Sequence, residues 1–563
     1  MNRTLPEPVA STGFTPEQKE YLAGVFAGVA ARGQRFSDVE PAPAPPEDLI
    51  PEERIKRELH PLDAYDQIVE NAINNKPPDK EDVFRFKWNG LFFLTPVKDA
   101  FMARLRIPGG VVKTFQLREL ANTAKELTSG YVQITTRANF QMRLIQPKDC
   151  PEVLHRIQAV GLHTRGAGAD NIRNLTMSPT AGIDPHELID VQPFVQRLAQ
   201  TIINDRSFYN LPRKFNVAFE GGGLISSVED TNDIGVKAVK NGEDIFFRIA
   251  LGGATGHKAF ARDLGVLVKP TELNKVLVAV IRVYITNGNR SDRKKARLKH
   301  LLDTWPLEKY LTETEKLLGW KLQRTPLEKS EIGNPKSEIP HSHLGVYPQK
   351  QKGLNYLGVA VPAGQITPKQ MIRVAEIADL YGSGEIRLTV WQNFIIPNVP
   401  DAYIATVQKA LRKIGFDTQQ SLVRGGIVAC TGNSFCKYAQ SNTKAHALAL
   451  GDYLDKKIAL DTPINIHLTG CPNSCAQHYI GDIGLLGTKV RGEEVYHIFV
   501  GGGFGANQAV GRQLFAGVSV TSLNATLEQI LKNFLKHRQP GETFRKFTER
   551  HDLGKLQELL GES

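Results

Sequence analysis

The stretch Ile107–Phe140 reads IPGGVVKTFQLRELANTAKELTSGYVQITTRANF, and it aligns without gaps on Val361–Phe394, VPAGQITPKQMIRVAEIADLYGSGEIRLTVWQNF, at an offset of 254 residues. A second block aligns at an offset of 249 residues, with Asp233-Ile234-Gly235 on Asp482-Ile483-Gly484. Two blocks in the same order indicate a duplicated chain, because the period is far longer than the roughly 20–50 residues of solenoid repeats.

Each half of the duplication shows the order strand, helix, strand. Alternating apolar and polar residues predict strands over Phe101–Ile107 and Tyr131–Leu144, with a helix over Thr114–Leu127 between them. The second copy repeats this order, over Tyr356–Val361, Pro368–Leu380 and Glu385–Ile396. The sequence therefore predicts an internally duplicated α+β fold. The polar run Thr325–Pro340 is predicted to connect the halves, and Pro41–Pro51 to form an extended strap.

Length and composition favour a globular protein of several domains, since the chain has 563 residues and 41% of them are hydrophobic. Lys and Arg exceed Asp and Glu by 70 to 59, a net charge of +11, which favours an anionic substrate, cofactor or partner. No dense basic run, zinc finger or RNP-like aromatic motif supports a nucleic-acid partner.

The sequence gives no sign of a membrane or an export route. No apolar window approaches the roughly 18 residues that a membrane span needs; the apolar stretch Val276–Thr286 is short and contains Arg282. Met1–Arg32 has neither a basic region followed by an apolar run nor the Arg- and Ser-rich character of a transit peptide. We therefore expect either a bacterial-type cytoplasmic protein or a mature chain that has already been processed.

The cysteines are the strongest chemical signal. Four of the five fall into two pairs: Cys430-Thr-Gly-Asn-Ser-Phe-Cys436 and, after 34 residues, Cys471-Pro-Asn-Ser-Cys475. Their flanks are loop-forming, and four clustered thiolates are typical of a 4Fe-4S cluster. A structural zinc site is the alternative, although zinc pairs usually lie two to four residues apart. Cys150, beside Pro151 in a predicted polar loop, has no assigned role.

Several motifs resemble those of the nitrite/sulfite reductase family, over about residues 84–550. Cys-Thr-Gly-x-x-x-Cys and Thr-Gly-Cys-Pro-Asn-Ser-Cys resemble the family's cluster and siroheme motif. The other matching motifs are Arg85-Phe-Lys-Trp-x-Gly90, Thr135-Thr-Arg-x-Asn139, Asp170-Asn-Ile-Arg-Asn174, Gly182-Ile-Asp-Pro-His186, Leu211-Pro-Arg-Lys214, Gly345-Val-x-Pro-Gln-Lys350 and Ser383-Gly-Glu-Ile-Arg-Leu388.

The resemblance implies the two cofactors and their protein ligands. Cys430, Cys436, Cys471 and Cys475 would ligate a 4Fe-4S cluster, and Cys475 would also be the axial ligand of a siroheme iron. A shared thiolate would couple the two centres electronically.

The resemblance also implies ferredoxin-like half-domains and two larger mixed α/β domains related by a pseudo-two-fold repeat. The expected segments are an N-terminal extension and linker (1–95), a first half-domain (96–165), a siroheme- and substrate-binding domain (166–330), a second half-domain (345–418) and a cluster and siroheme domain (419–555).

A siroheme rimmed with carboxylates needs cationic and amide donors, and arginine forks suit carboxylates. Arg137, Gln141, Arg143 and Arg213 lie in matching motifs and are the candidates for this clamp; the alternative is that they are solvated surface groups.

Four further positions match the family's substrate site. The basic positions fall on Arg104, Arg173 and Lys214, and the fourth position is Asn216. Arg106 would share the strand face of Arg104, so the two could exchange roles. Sulfite-reducing relatives carry a second Lys where Asn216 stands. Because nitrite carries less negative charge than sulfite, Asn216 favours nitrite.

The resemblance implies six-electron reduction of nitrite to ammonium by a monomer that takes electrons from reduced ferredoxin, with flavodoxin as another donor. The glycine runs Gly221–Gly223 and Gly501–Gly505 lack the strand-turn-helix context of a dinucleotide site, so they are interpreted as close backbone approaches. Two alternatives stay open: a sulfite reductase, and a non-enzymatic zinc-stabilised protein that binds RNA or another partner.

Overall fold

The computed structural model describes residues 49–94, 96–97, 100–325, 343–419 and 421–561. From Ile50 to Ser563 the chain forms one compact unit, and Met1–Leu49 is a second unit of which only Leu49 is described. The expected strap Pro41–Pro51 and the expected connection Thr325–Pro340 therefore lie almost entirely outside the described residues.

The first half-domain is an antiparallel sheet packed on helices. The strands of this part of the chain are β1 (Leu91–Phe93), β2 (Phe101–Arg104), β3 (Val111–Lys113), β4 (Val132–Ile134) and β5 (Phe140–Ile145), and all but β3 belong to this sheet. The helices before and within it are α1 (Pro51–Glu58), α2 (Tyr65–Ile73), α3 (Asp82–Arg85), α4 (Thr114–Leu127) and α5 (Cys150–Ala159). Helix α4 has the bounds predicted from its spacing, and β1, which precedes residue 96, pairs with β2.

The prediction of one strand over Tyr131–Leu144 was wrong, because this segment is a hairpin in which β4 pairs with β5. Its turn contains neither glycine nor proline. The Thr135 hydroxyl accepts a hydrogen bond from the Arg137 backbone N–H at 3.0 Å, and Ala138 adopts a φ of +47°. A side-chain hydrogen bond therefore closes this turn, although it lacks the glycine or proline that usually marks a turn in a sequence.

The first larger domain combines parallel and antiparallel strands. Its strands are β6 (Thr176–Met177), β7 (Val217–Glu220), β8 (Ile234–Asn241), β9 (Asp244–Leu251), β10 (Arg262–Asp263), β11 (Val266–Leu267) and β12 (Gln323–Arg324). Its helices are α6 (Gln192–Asn204), α7 (Leu273–Asn287), α8 (Leu298–Thr304) and α9 (Leu307–Leu318). Strands β6, β7 and β8 are parallel, and β9 and β10 continue the sheet antiparallel.

The second copy repeats both parts. Its strands are β13 (Gly345–Pro348), β14 (Leu354–Val359), β15 (Gln365–Ile366), β16 (Glu385–Leu388), β17 (Phe394–Pro400), β18 (Ile427–Ala429), β19 (Ile466–Thr469), β20 (Ile483–Val490), β21 (Glu493–Val500) and β22 (Arg512–Ser519). Its helices are α10 (Pro368–Tyr381), α11 (Ile404–Arg412), α12 (Thr443–Leu454), α13 (Val520–His537), α14 (Phe544–Glu549) and α15 (Leu553–Gly561). The expected strand Glu385–Ile396 is likewise a hairpin, β16 with β17.

The duplication predicted from the sequence is confirmed strand by strand. Strands β19, β20 and β21 begin and end 249 residues after β7, β8 and β9, and α10 lies 254 residues after α4. The two half-domains also exchange strands: β15 pairs with β4 of the first copy, and β3 pairs with β16 of the second. One apolar core runs through both half-domains, so neither sheet is complete without the other copy.

Helix α7 contains the most apolar stretch noted in the sequence, and it is a core helix. Val276, Leu277 and Val280 are buried, whereas Arg282 is exposed and donates to Asp205. In the described ranges no helix combines the length and the apolar character that crossing a bilayer requires.

Cys150 corrects another expectation, since it does not lie in a loop but begins α5. The residue is buried, and its Sγ donates to the Gln146 carbonyl at 3.5 Å. Burial raises the pKa of the Cys150 thiol well above its usual range, so the group stays protonated and unreactive at neutral pH.

Candidate active site

The four clustered cysteines meet at one edge of a sheet. Cys430 follows β18 and Cys471 follows β19, and these strands are parallel neighbours, so both loops leave the same edge. The Gly470 N–H donates to the Cys430 Sγ at 3.2 Å. Burial and the nearby thiolates of the other three cysteines together raise the pKa of Cys471 to about 11.

The sulfur atoms do not converge on one point. In the part of the chain that the structure describes, no group of three or more Cys, His, Asp or Glu is arranged around a single metal ion. A zinc ion needs all its thiolates at about 2.3 Å, whereas each thiolate of an iron–sulfur cube ligates its own iron. Four thiolates on two loops, with an N–H donor to one of them, fit a 4Fe-4S cluster.

Cys475 is held where the two halves of the chain meet. The Thr136 hydroxyl, in the turn between β4 and β5, donates to the Cys475 carbonyl at 2.9 Å. The Gln477 side chain donates to the Thr231 hydroxyl at 2.9 Å. On the same side, a Cβ at Gly256 would come within 3.1 Å of the Asn473 carbonyl oxygen. The cysteine loop of the second half therefore packs directly against loops of the first.

Two guanidinium groups converge beside this loop. Arg104 at the end of β2 donates to the Ala167 carbonyl at 3.3 Å, and Arg173 donates to the same oxygen at 2.6 Å. Arg173 also donates to the Ala169 carbonyl at 2.7 Å, and the Arg104 guanidinium stacks 4.4 Å from the centre of the Phe92 ring. Backbone carbonyls and an aromatic ring thus fix both groups without neutralising their charge.

Lys214 and Asn216 lie on the segment that leads into β7. The Asn216 backbone N–H donates to Asp233 at 2.8 Å, and Asp233 is in turn held by Arg297 at 2.8 Å. This chain of bonds fixes the backbone beside Lys214. The described part of the chain provides no hydrogen-bond partner for the side-chain amide of Asn216, which leaves the amide available to a ligand.

The cations of the site repel one another. Burial lowers the pKa of Arg104 to about 10 and that of Lys214 to about 7. Burial also lowers the pKa of Arg173, and the neighbouring positive charges of Arg104 and Arg213 lower it further. Burial raises the pKa of the Cys475 thiol, and Lys214 opposes that shift.

Arg104, Arg173, Lys214 and Cys475 are surrounded by protein atoms on all sides. The three cations nevertheless keep some accessible surface, and Cys475 is exposed. We infer that the four side chains face an internal cavity. Such a cavity, lined by cations and one thiolate, fits a polyanionic ligand with a metal.

The four clamp candidates separate into two pairs. Arg137 and Arg213 lie near enough to Arg173 to lower its pKa; Arg137 donates to Asn232 at 2.5 Å, and Arg213 lies 3.9 Å from Asp170. Arg143 instead donates to Thr431, inside the first cysteine loop, at 2.9 Å and lies 5.3 Å from the Phe435 ring centre. Gln141 accepts from Arg143. The latter pair therefore supports the cluster loop.

Arg106 takes no part in the site, although its alternation with Arg104 suggested that it could. Strand β2 ends at Arg104, and the guanidinium of the buried Arg106 donates to the carbonyls of Ile172 at 2.6 Å and Arg165 at 3.1 Å. It ties two backbone segments together.

Two networks that support the site were not predicted from the sequence. One is the ion pair between Asp233 and Arg297. The repeated Asp-Ile-Gly motif pointed to it, because the first residue of each copy makes the same bond. Asp233 accepts from the Asn216 backbone N–H, and Asp482 accepts from that of Asn465, both at 2.8 Å. The other centres on the buried Asp170, which accepts two bonds of 2.8 Å from Arg293. Its signal was the acidic residue that opens the motif Asp170-Asn-Ile-Arg-Asn174.

The structure contains a related cavity of about 440 Å³, which residues of both halves line. Ser226 lines it where the offset of 249 places Cys475, and Trp391 lines it where the offset of 254 places Arg137. Pro463 lies at the position of Lys214. At these three positions the related cavity therefore lacks the thiol of Cys475 and the cations of Arg137 and Lys214, and only the first cavity combines them.

Two family models match most of the chain. The model described as "Nitrite and sulphite reductase 4Fe-4S domain" matches residues 168–322 and 423–563, and "Nitrite/Sulfite reductase ferredoxin-like half domain" matches residues 96–160 and 347–414. The chain belongs to the nitrite and sulphite reductase family. It is an oxidoreductase, and its cofactors are a siroheme and a 4Fe-4S cluster.

Known relatives cover nearly the whole chain. The ferredoxin–nitrite reductase of Synechococcus elongatus is 36% identical over 87% of this chain and 97% of its own length. The chloroplastic ferredoxin–nitrite reductase of Spinacia oleracea is 35% identical over 86% of this chain and 85% of its own. The solved structure of the Mycobacterium tuberculosis NirA protein has a TM-score of 0.84 at 30% identity, covering 91% of this chain and 98% of that chain.

Proposed function

We propose that this protein reduces nitrite to ammonium, consuming six electrons and eight protons and releasing two waters, with reduced ferredoxin as the electron donor. The observation that carries the proposal is the group of Arg104, Arg173 and Lys214 facing the same cavity as Cys475. The curated relatives named as ferredoxin–nitrite reductases support both substrate and donor. The net charge of +11 suits an acidic donor protein.

The placement of the side chains supports an assignment of the protein's ligands to the two cofactors. Cys430, Cys436, Cys471 and Cys475 would hold the cluster, and Cys475 would bridge it to the siroheme iron. Arg137 and Arg213 would pair with siroheme carboxylates. When bound, the siroheme supplies the iron that binds the substrate nitrogen and passes electrons to it.

The distal residues would hold the anion and supply protons. Arg104 and Arg173 offer charge-assisted hydrogen bonds to the oxygens of nitrite from fixed positions. Because burial lowers the pKa of Lys214 to about 7, its ammonium can give up a proton near neutral pH as N–O bonds break. These groups act while bulk water is largely excluded, which strengthens their effect.

The choice of nitrite over sulfite rests on Asn216, a buried residue two positions after Lys214 that adds no positive charge. The change Asn216→Lys introduces a second ammonium and should favour the more highly charged anion. We expect the ratio of kcat/KM for sulfite to that for nitrite to rise about tenfold, ~1.4 kcal/mol of differential transition-state binding.

The comparison uses one artificial electron donor for both substrates, with siroheme content measured for each variant. Asn465→Lys is the matched control, since the repeat places Asn465 at the position of Asn216 in the related cavity. An unchanged ratio in fully loaded Asn216→Lys would remove the reason for choosing nitrite and leave sulfite reduction as the alternative.

A further inference from the structure

Lys444 is a buried cation beside the cysteine cluster. It is the second residue of α12 and is 6% exposed, and its ammonium donates to the Ala363 carbonyl. The preceding residue, Thr443, donates to the Cys430 carbonyl at 2.9 Å and has its hydroxyl 3.4 Å from the Cys430 Sγ. The first turn of α12 therefore packs directly under a proposed cluster ligand.

No carboxylate balances this charge. Among the described residues no Asp or Glu forms an ion pair with the Lys444 ammonium, and its electrostatic neighbours are Cys430 and Arg143. Burial lowers the pKa of Lys444 to about 7, and the negative charge of Cys430 opposes that shift. Arg143 resembles Lys444 in that cluster cysteines stabilise its charge. The groups that do so are Tyr131, Cys436 and Cys430.

The internal repeat shows that a cation is not required by the fold at this position. At the offset of 249 residues, Lys444 corresponds to Val195, an apolar residue fully buried in α6. The same core position is therefore valine in the first half, which has no cluster ligands, and lysine in the second half, which has all four. Burying an unpaired ammonium is costly unless an anion compensates it.

We propose that Lys444 sets the reduction potential of the 4Fe-4S cluster, with its ammonium acting as a counter-charge to the thiolate-ligated cube. Reduction adds one electron, and therefore one negative charge, to a cluster that is already anionic. A cation buried nearby stabilises the reduced form more than the oxidised form, because the attraction is weakly screened inside the protein. Arg143, on the adjacent side of the same loop, adds to this effect.

The inference is independent of the substrate, because it concerns electron uptake by the cluster alone. The test is an EPR-monitored redox titration of the holoenzyme in the absence of nitrite. Lys444→Gln keeps an N–H donor for Ala363 but removes the charge, and Lys444→Arg keeps the charge. Lys456→Met, at an exposed lysine just beyond α12, is the matched control.

We expect Lys444→Gln to shift the cluster midpoint potential to more negative values. A tenfold loss in the equilibrium constant for electron uptake corresponds to about 59 mV for a one-electron couple. Lys444→Arg and Lys456→Met should remain near the wild-type potential. A wild-type potential in Lys444→Gln would overturn the proposal and reduce Lys444 to a structural tie to Ala363.

Cluster loading gives a second readout if the neutral variant does not assemble. Iron and sulfide content that is lost in Lys444→Gln and restored in Lys444→Arg would support a requirement for the charge. Loss in both variants would show that the shape of lysine matters instead of its charge, and would contradict the proposal.

Discussion

Lys214 is the cation of the site whose charge is most easily changed near neutral pH. Burial and the positive charge of Arg297 lower its pKa to about 7, whereas the Cys475 thiolate opposes the shift. Burial lowers the pKa of Arg104 only to about 10, so that residue stays charged at neutral pH. An anion bound beside Lys214 stabilises its ammonium, so binding is strongest where Lys214 is protonated.

The KM for nitrite is accordingly expected to rise as the pH increases through about 7, since the free enzyme then loses the Lys214 charge. Lys214→Arg keeps a cation throughout this range and should flatten the rise. Steady-state kinetics with an artificial donor, from about pH 6 to about pH 9, measure both profiles. Identical pH dependence in the two proteins would contradict a role for the Lys214 charge in binding.

At the residue scale, ligand and substrate-site residues could be recognised from the sequence where they belong to a motif with characteristic spacing. The four cysteines and Arg104, Arg173 and Lys214 belong to such motifs, and the structure brings them together. The orientation of Arg143 toward Thr431 could not be foreseen, because it depends on how β5 packs against a loop 288 residues away. The siroheme-clamp role of Arg143 and Gln141 stays a prediction.

At the scale of elements, helix α1 is joined to the active-site region by buried ion pairs. Its Lys56 pairs with Glu53 and lies 3.6 Å from Asp170, and Glu53 is also held by Arg290 at 3.1 Å. Burial alone would raise the pKa of Asp170, but Arg293 and Lys56 hold it below its usual range. Asp170 in turn lies 3.9 Å from Arg213. The helix therefore supports the cavity from outside.

Lys56→Met should loosen α1, because it removes the cation that joins Glu53 to Asp170, although each carboxylate keeps at least one arginine. Breaking a buried pair typically costs about 3–5 kcal/mol, and the low end is expected here, about a hundredfold faster exchange of α1 amides. Hydrogen exchange followed by mass spectrometry measures this. Arg57→Met, an exposed change in the same helix, is the control; equal exchange in both variants would contradict the assignment.

The elements themselves were predictable to different degrees. The bounds of α4 follow from its apolar spacing, which local sequence encodes fully. The turns of both hairpins were missed because Thr135 and Thr389 close them through their hydroxyls, and because Ala138 and Gln392 take a positive φ without glycine. Tertiary contacts with the cysteine loop, such as Thr136 to Cys475, hold the first of these turns in place.

At the scale of the whole molecule, the duplication explains where the active site lies. The half-domains exchange β3 and β15, and loops of the first half meet the cysteine loop of the second. The repeat was visible in the sequence as two offset blocks. The exchange of strands was not, because β3 and β15 are only two or three residues long and take their partners from the other copy.

The two halves have also diverged in chemistry. The cavity that faces Cys475 keeps Arg137 and Lys214, whereas its counterpart has Trp391 and Pro463 at the related positions. A duplicated fold can thus hold its cofactors in one copy while the other supplies structure and anion-binding side chains. This asymmetry makes Cys475 the residue on which the proposed function depends.

The most direct test is the visible spectrum of purified Cys475→Ser, read together with its iron and sulfide content. We expect loss of the siroheme absorption and of the cluster, with no reduction of nitrite to ammonium. Cys150→Ser is the matched control, since Cys150 lies in α5 away from the site and should keep the wild-type spectrum. A Cys475→Ser protein that retains siroheme absorption, cluster iron and ammonium production would contradict the account.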